Sequence, residues 1–404
     1  MYKGKHYEEQ YFLSGSINGV VDCWKYVNQI VDHQCQTQVS EFKILQILNY
    51  KKNSIIVLTQ NGQFAFLQFV NDSQLQHRFV DVRLQEFVAS RIIMNSGFLV
   101  TDINGCLWKI ANLDETYITH SKQLISFINK ELRIAIVKIC NNINGCSILI
   151  VFENGAISEY SITTGLLIGL LLPTTDQLYK AKSIIEVEND FIVINTNGIV
   201  QFVHRNHTNS GQINRMKISC TIDSTCQNTI QADFNQLSKV LIVIDKTGLI
   251  TSLSIVDDNI TFSGSTSIGA KLIDGKICDY NEIQTTLILL DISKYIYVIK
   301  HTNTIWETLN VVQLINVEIE NPIEMHLLHV QQNITEDENC ENSLINYDII
   351  IVDDLEYYPQ LHIIRLNAAL NEWKLISTLK CQFKGIISSK RIRYTLMLVA
   401  ILSE

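Results

Sequence analysis

The chain has 404 residues, 47% of them hydrophobic and 18% charged, with 17 Gly and only 3 Pro, which excludes a disordered, collagen-like or Pro-rich polypeptide. Its 32 Lys and Arg against 41 Asp and Glu give a net charge of -9, without the basic footprint of a nucleic-acid-gripping protein, so direct nucleic-acid binding is not expected. Met1–Gln10 is polar and unlike a secretory signal, and the apolar runs Gly165–Leu172 and Leu396–Leu402 fall far short of the roughly 18 residues of a membrane span, so the expectation is a soluble cytoplasmic or nuclear chain with no membrane partner.

The first element is a hairpin. Tyr11–Tyr26, YFLSGSINGVVDCWKY, is two β-prone runs joined by Asn18-Gly19, and Asn-Gly between such runs signals a type I′ turn with positive φ at both central residues. The arrangement then returns along the chain. Ser54–Phe69 turns at Asn61-Gly62, Gly97–Ile110 at Asn104-Gly105, and Ser147–Ile162 at Asn154-Gly155. Asp190–Arg205 turns at Asn197-Gly198, and Lys239–Val256 at Thr247-Gly248. The turn glycines Gly19, Gly62, Gly105, Gly155, Gly198 and Gly248 are separated by 43, 43, 50, 43 and 50 residues. Two degenerate copies follow: Thr285–Lys300 turns near Ser293-Lys294 without Gly, and Asp348–Leu366 turns near Glu356–Pro359.

Eight hairpins at a period of about 40–50 residues predict an all-β propeller of four-stranded units. Weaker alternating runs such as Phe42–Leu48 and Arg133–Ile139 supply the remaining strands, and Asp114–Leu132 is the one region with helical spacing. Strands buried on both faces explain near-continuous apolar runs such as Ile148–Phe152 and Val240–Ile244. A length that first admits two or three domains therefore reads as one domain over 1–404, with 302–346 as a long insertion between blades. The hairpin count favours eight blades over seven.

The segment Ser14–Trp24, SGSINGVVDCW, resembles the WD40-repeat family, in which a small-polar-Gly turn leads into a strand ending near Trp-Asp. Gly105–Trp108 is a second match. Other copies carry Phe66, Tyr160, Phe202, Leu253, Tyr297 or Ile363 in place of Trp; the Asp after Trp is absent throughout, and no opening Gly-His is evident. The resemblance covers almost the whole chain in period, with degenerate motifs. It implies a non-enzymatic scaffold that assembles protein partners. An accessory subunit of an RNA- or tRNA-acting enzyme and a propeller hydrolase are the alternatives. The first hairpin begins ten residues in, and Thr395–Leu402 has no hairpin partner after it, so ring closure by the C-terminal strand is expected; truncation of a longer chain is the rival explanation.

No Gly-x-Ser-x-Gly, phosphate loop, His-Glu-x-x-His or Cys-x-x-Cys occurs, so no catalytic residue, cofactor or metal is expected. The 10 Cys read as buried thiols. His204/His207 and His326/His329 are spaced i, i+3, which in a strand places them on opposite faces. No His or Asp is expected to recur at one phase of the repeat. Asp353, Asp354 and Glu356 read as a charged turn, and Lys384, Lys390, Arg391 and Arg393 as a solvated basic edge. The acidic cluster Glu336, Asp337, Glu338 and Glu341 reads as a solvated loop or a docking segment for a basic partner. The recurring aromatics are expected to pack between blades, and the turn glycines to supply positive φ.

Overall fold

In a computed structural model of the chain, every regular element is a β-strand, and no helix occurs among the described residues. These run from 10 to 399, excluding 16–18, 28–29, 43, 52–53, 72–73, 81–86, 95–96, 103–105, 112–120, 128–133, 143–144, 163, 173–179, 206–213, 257–258, 281–283, 303–304, 315–318, 334–343, 354–359, 368–371, 381–387 and 393–394. None holds a helix long and apolar enough to cross a membrane.

The strands form consecutive antiparallel meanders. A three-stranded sheet over 10–38 is followed by four-stranded sheets over 44–80, 87–127, 134–171, 181–223, 229–267, 272–313 and 322–380, and by a hairpin over 388–399. Asn214–Arg215 adds a short parallel strand to the fourth sheet. The chain divides into two compact units, one of Met1–Phe87, Lys294–Ile296 and Leu309–Glu404, the other of Val88–Ser293 and Tyr297–Thr308. In the first unit, Thr395–Val399 lies alongside Gln10–Gly15 and pairs with Ser388–Ile392.

Two expectations about elements are corrected. Ser121–Phe127, inside the helical candidate Asp114–Leu132, is the fourth strand of its sheet, laddered to Cys106–Ala111. An open ladder edge outweighs weak local helical spacing. The segment 302–346 holds the fourth strand of one sheet, Ile305–Gln313, and the long first strand of the next, Pro322–Asn333, so regular structure occupies much of the expected insertion.

Sheet faces explain the continuous apolar runs. On Asp190–Asn195, Phe191 and Val193 pack toward the fourth sheet, with Leu149 and Val151. Ile192 and Ile194 pack toward the sixth, with Leu241, Val243 and Leu253. Val240, Ile242 and Ile244 then join Leu272, Leu287 and Leu289 of the seventh. Side chains alternate across a strand, so a strand covered on both faces must be apolar at every position. Each such side chain contributes about 2 kcal/mol on burial.

The turns differ from the type I′ expectation. Gly19, Gly62, Gly155, Gly198 and Gly248 have φ of 75, 79, 81, 81 and 89°, while Asn61, Asn154, Asn197 and Thr247 are not in the positive-φ region. Gly62 donates to Thr59 O at 3.1 Å, and Thr59 donates to Gln63 O at 3.0 Å, the pattern of a three-residue loop with glycine alone left-handed. The Asn keeps an ordinary φ because its side chain caps the turn: Asn154 Oδ1 accepts the Ala156 N–H at 3.0 Å. Lys294, with φ 68°, stands where glycine stands in the other copies.

Glycine is required for a second reason. A Cβ on Gly198 would lie 1.7 Å from Cys226 O, and one on Gly248 would lie 2.4 Å from Ala270 O, both in the connections to the following sheets. Gly198→Ala should therefore lower stability by about 3 kcal/mol or more, through strain and backbone displacement. Lys294→Gly should raise it by up to about 1 kcal/mol by relieving a left-handed side-chain residue. Urea unfolding midpoints of the two variants against the parent chain test both signs.

Candidate functional site

The residue three before the turn residue is polar at Gly62, Gly198, Gly248 and Lys294, whereas before Gly155 it is Phe152. Thr59, Asn195, Asp245 and Asp291, the last three residues before Lys294, are all buried, as is Asp353 at the end of its second strand. Asp245 accepts the N–H of Asn228 at 2.5 Å and of Thr247 at 2.6 Å. Asp291 accepts the N–H of Ser293 at 2.8 Å and the Tyr297 hydroxyl at 2.9 Å. Asp353 accepts the N–H of Glu320 at 2.8 Å and of Asn321 at 2.5 Å, with His362 Nε2 at 3.6 Å. Burial pushes the Asp353 pKa up, but the neighbouring His362 ring and the two backbone hydrogen bonds outweigh it and hold the carboxyl below its ordinary value. An Asp therefore does recur at one phase, contrary to the sequence expectation, and Asp353 is buried rather than a solvated turn charge. Asp245 and Asp353 hold the chain entering the first strand of their own sheet. Counting back three residues from each turn glycine would have found Asp245.

A second charged group lies between the fourth and fifth sheets. Arg205, whose side chain is 2% exposed, has Nε 3.6 Å from Glu159 Oε1 and Nη1 3.6 Å from Glu186 Oε1, and donates to Asn189 O at 3.0 Å. Its guanidinium carbon sits 5.4 Å over the Phe191 ring. Ser147 hydrogen-bonds to Glu159, and Nε and Nη2 of Arg205 have no hydrogen-bond partner among the described residues. Nearby Cys140 is buried, which pushes its thiol up to about 12 and keeps it protonated.

Glu186 of this group also lines a groove of about 260 Å³, together with Val187, Glu188, Phe234, Gln236 and Lys239. It lies between the first turns of the fifth and sixth sheets. Glu188 and Lys239 are non-Gly residues with φ of 54 and 56°, and they bind each other at 3.0 Å. Residues held in this region cluster at functional sites. Asn235 Oδ1 caps the second turn through the N–H of Leu237 and Ser238, leaving the Leu237 side chain 62% exposed at its tip. The arrangement offers an apolar floor, a carboxylate wall and a prominent apolar residue, which suits contact with another polypeptide.

The remaining sequence candidates are placed as follows. Phe66, Tyr160, Phe202, Leu253 and Ile363 are buried, and Trp24, Trp108 and Tyr297 are partly buried. Trp24 Nε1 donates to Ser14 Oγ at 2.9 Å. His204 binds Asp190 at 2.8 Å, and His326 is buried on its strand. Among the described residues no cluster of three or more His, Cys, Asp or Glu is placed to hold a metal ion. Lys390 and Arg391 lie on Ser388–Ile392. Gly105, His207, Glu336, Asp337, Glu338, Glu341, Asp354, Glu356, Lys384 and Arg393 lie outside the described residues.

No protein-family model and no curated protein sequence matches this chain. Solved structures do match by fold. Saccharomyces cerevisiae Sqt1 is 10% identical with a TM-score of 0.58, over 87% of this chain and 95% of that one. Chaetomium thermophilum Sqt1, solved bound to the N-terminus of ribosomal protein L10, is 10% identical with a TM-score of 0.54, over 86% and 95%. The C-terminal WD40 domain of Sif2 is 11% identical with a TM-score of 0.54, over 85% and 89%. The fold is that of a WD40-like β-propeller.

Two measurements probe the buried polar groups. Arg205→Met leaves Glu159 buried without its countercharge and should cost about 3–5 kcal/mol, while adding Glu159→Gln should restore much of it, as a double-mutant unfolding cycle would read. His301 is buried with its ring 4.2 Å from that of Trp306, and burial lowers its pKa from 6.5 to about 4. The unfolded chain takes up this proton first, so its contribution is complete above pH 6.5 and is lost as pH falls toward 4, by about 3 kcal/mol at most. His301→Phe should flatten the Tm against pH curve across that window.

Proposed function

We propose that this chain is a non-enzymatic protein-interaction scaffold, a subunit of a multiprotein complex. The observation that carries the proposal is the groove between Glu188 and Lys239. Two left-handed side-chain residues on adjacent turns bind each other there, over Phe234 and beside exposed Leu237. The polar residues that recur along the chain, Asp245, Asp291 and Asp353, are engaged by backbone N–H groups and thus hold the fold rather than face a substrate. A propeller of the same fold was solved with the N-terminus of a ribosomal protein bound, which supports a polypeptide as the class of partner.

The scaffold is a single propeller over 1–404, with eight blades closed by the C-terminal strand. The position of Thr395–Val399 beside Gln10–Gly15, where the three-stranded sheet lacks its first strand, supports this reading. The acidic segment Glu336, Asp337, Glu338 and Glu341 is a second docking element, suited to a basic partner in a chain of net charge -9.

Quantitative affinity isolation with the full chain tests the proposal. Leu237→Asp, a change at an exposed tip, should leave the unfolding midpoint within about 0.5 kcal/mol of the parent and reduce recovery of at least one specific partner tenfold or more. Unchanged recovery of every partner would rule out the groove as the docking face. Alanine at 336, 337 and 338 that leaves every partner in place would rule out the acidic segment.

A further inference from the structure

Two of the cysteines face each other directly. In the first sheet, Val20–Val27 pairs antiparallel with Ile30–Gln38, and Cys23 is the register partner of Cys35. Opposed residues of such a ladder share one face, with Cα atoms about 4.5–5.5 Å apart and Cβ atoms at a similar distance. A disulfide needs Cα atoms about 4.4–6.8 Å apart, so the backbone already meets its requirement. The two residues also share an environment. Cys23 is fully buried among Leu13, Val21, Ile44 and Val57, and Cys35 is partly buried against the same cluster. The register slips immediately after this pair, Trp24 pairing with His33, so Gln34 is an extra residue on the outer strand. A bulge of this kind increases local twist and gives the outer strand room to adjust. No other described pair of cysteines occupies partnered positions in a ladder.

We propose that Cys23 and Cys35 form a reversible cross-strand disulfide, with a small-molecule disulfide such as glutathione disulfide as oxidant. Cys35, on the outer strand and partly exposed, is the entry point. Its thiolate attacks one sulfur of glutathione disulfide; the S–S bond breaks, a Cys35–glutathione mixed disulfide forms, and one glutathione thiolate leaves. Cys23 then loses its proton and attacks Cys35 Sγ. The Cys23–Cys35 bond forms and the second glutathione leaves as thiolate. The protein gives up two protons and two electrons, and one glutathione disulfide becomes two glutathiones. Buried Cys23 meets the oxidant only through Cys35, which sets the order of the steps. The product locks the second and third strands of the first sheet together over an eleven-residue loop.

The test uses the full reduced chain, incubated natively with glutathione disulfide, quenched with an alkylating reagent and digested with trypsin. Cleavage at Lys5, Lys25 and Lys43 places Cys23 and Cys35 in separate peptides, each with a single cysteine. The expected product is these two peptides joined, two hydrogens lighter than their sum, and separated again by dithiothreitol. In Cys23→Ser the reaction should stop at Cys35 carrying glutathione. Parent chain that ends as glutathionylated Cys35, that links either cysteine elsewhere, or that keeps both alkylated would overturn the proposal.

Discussion

The turns at Gly198, Gly248 and Lys294 each hold one residue in the left-handed region, and the chain leaving the same sheet bonds directly to it. Gly198 O accepts the Ser224 N–H at 3.1 Å, Gly248 O the Ile268 N–H at 3.1 Å, and Lys294 O the Leu314 N–H at 3.0 Å. The same turns reach forward: Thr196 O accepts from Thr229, and Lys246 O from Leu272, where the next sheets begin. A backbone group buried in such a connection needs a partner, and these turns supply one. Glycine meets two demands there, a positive φ and the space a Cβ would take from the crossing backbone. The sheets can then stack with apolar faces in contact, and all-apolar second strands follow from that stacking.

Because the connections are tied down by backbone bonds, the recurrent polar side chains become part of the scaffold. Asp245 and Asp353 each meet N–H groups of the segment entering their own sheet. Asp291 instead meets its own turn and the Tyr297 hydroxyl, which shows the position adapting to a different neighbour. At Asp353 the donors that replace water outweigh burial and hold the carboxyl below its ordinary value. The consequence for function is that surface chemistry falls to the first turns and longer connections, where Glu188, Leu237 and Lys239 stand.

Arg205 and His301 show how side chains were recruited differently at two places between sheets. Arg205 brings a charge that Glu159 and Glu186 answer and an aromatic face that Phe191 provides. His301 is kept neutral by burial against Trp306. Arg205 draws Glu159 from the neighbouring sheet, whereas Trp306 is only five residues from His301, on the next strand of the same sheet.

Much of this protein was legible in its residues. The period of Gly19, Gly62, Gly155, Gly198 and Gly248 marked the hairpins, and the continuous runs Ile148–Phe152 and Val240–Ile244 marked strands covered on both faces, because turn chemistry and side-chain alternation are local. The turn type was misjudged at Asn154 and Asn197, since φ at those residues depends on a side-chain cap and on the chain crossing beyond. Ser121–Phe127 was misjudged because a ladder edge, absent from the local sequence, decided it. The groove beside Lys239, the Arg205 cluster and the Cys23–Cys35 register were invisible for the same reason: each is made where separate strands or sheets meet, and only tertiary packing sets which residues face one another. The sequence by itself determined the repeating hairpins and their apolar faces, whereas the tertiary structure decided where the polar groups meet, because those distances depend on how sheets stack and strands register rather than on spacing along the chain.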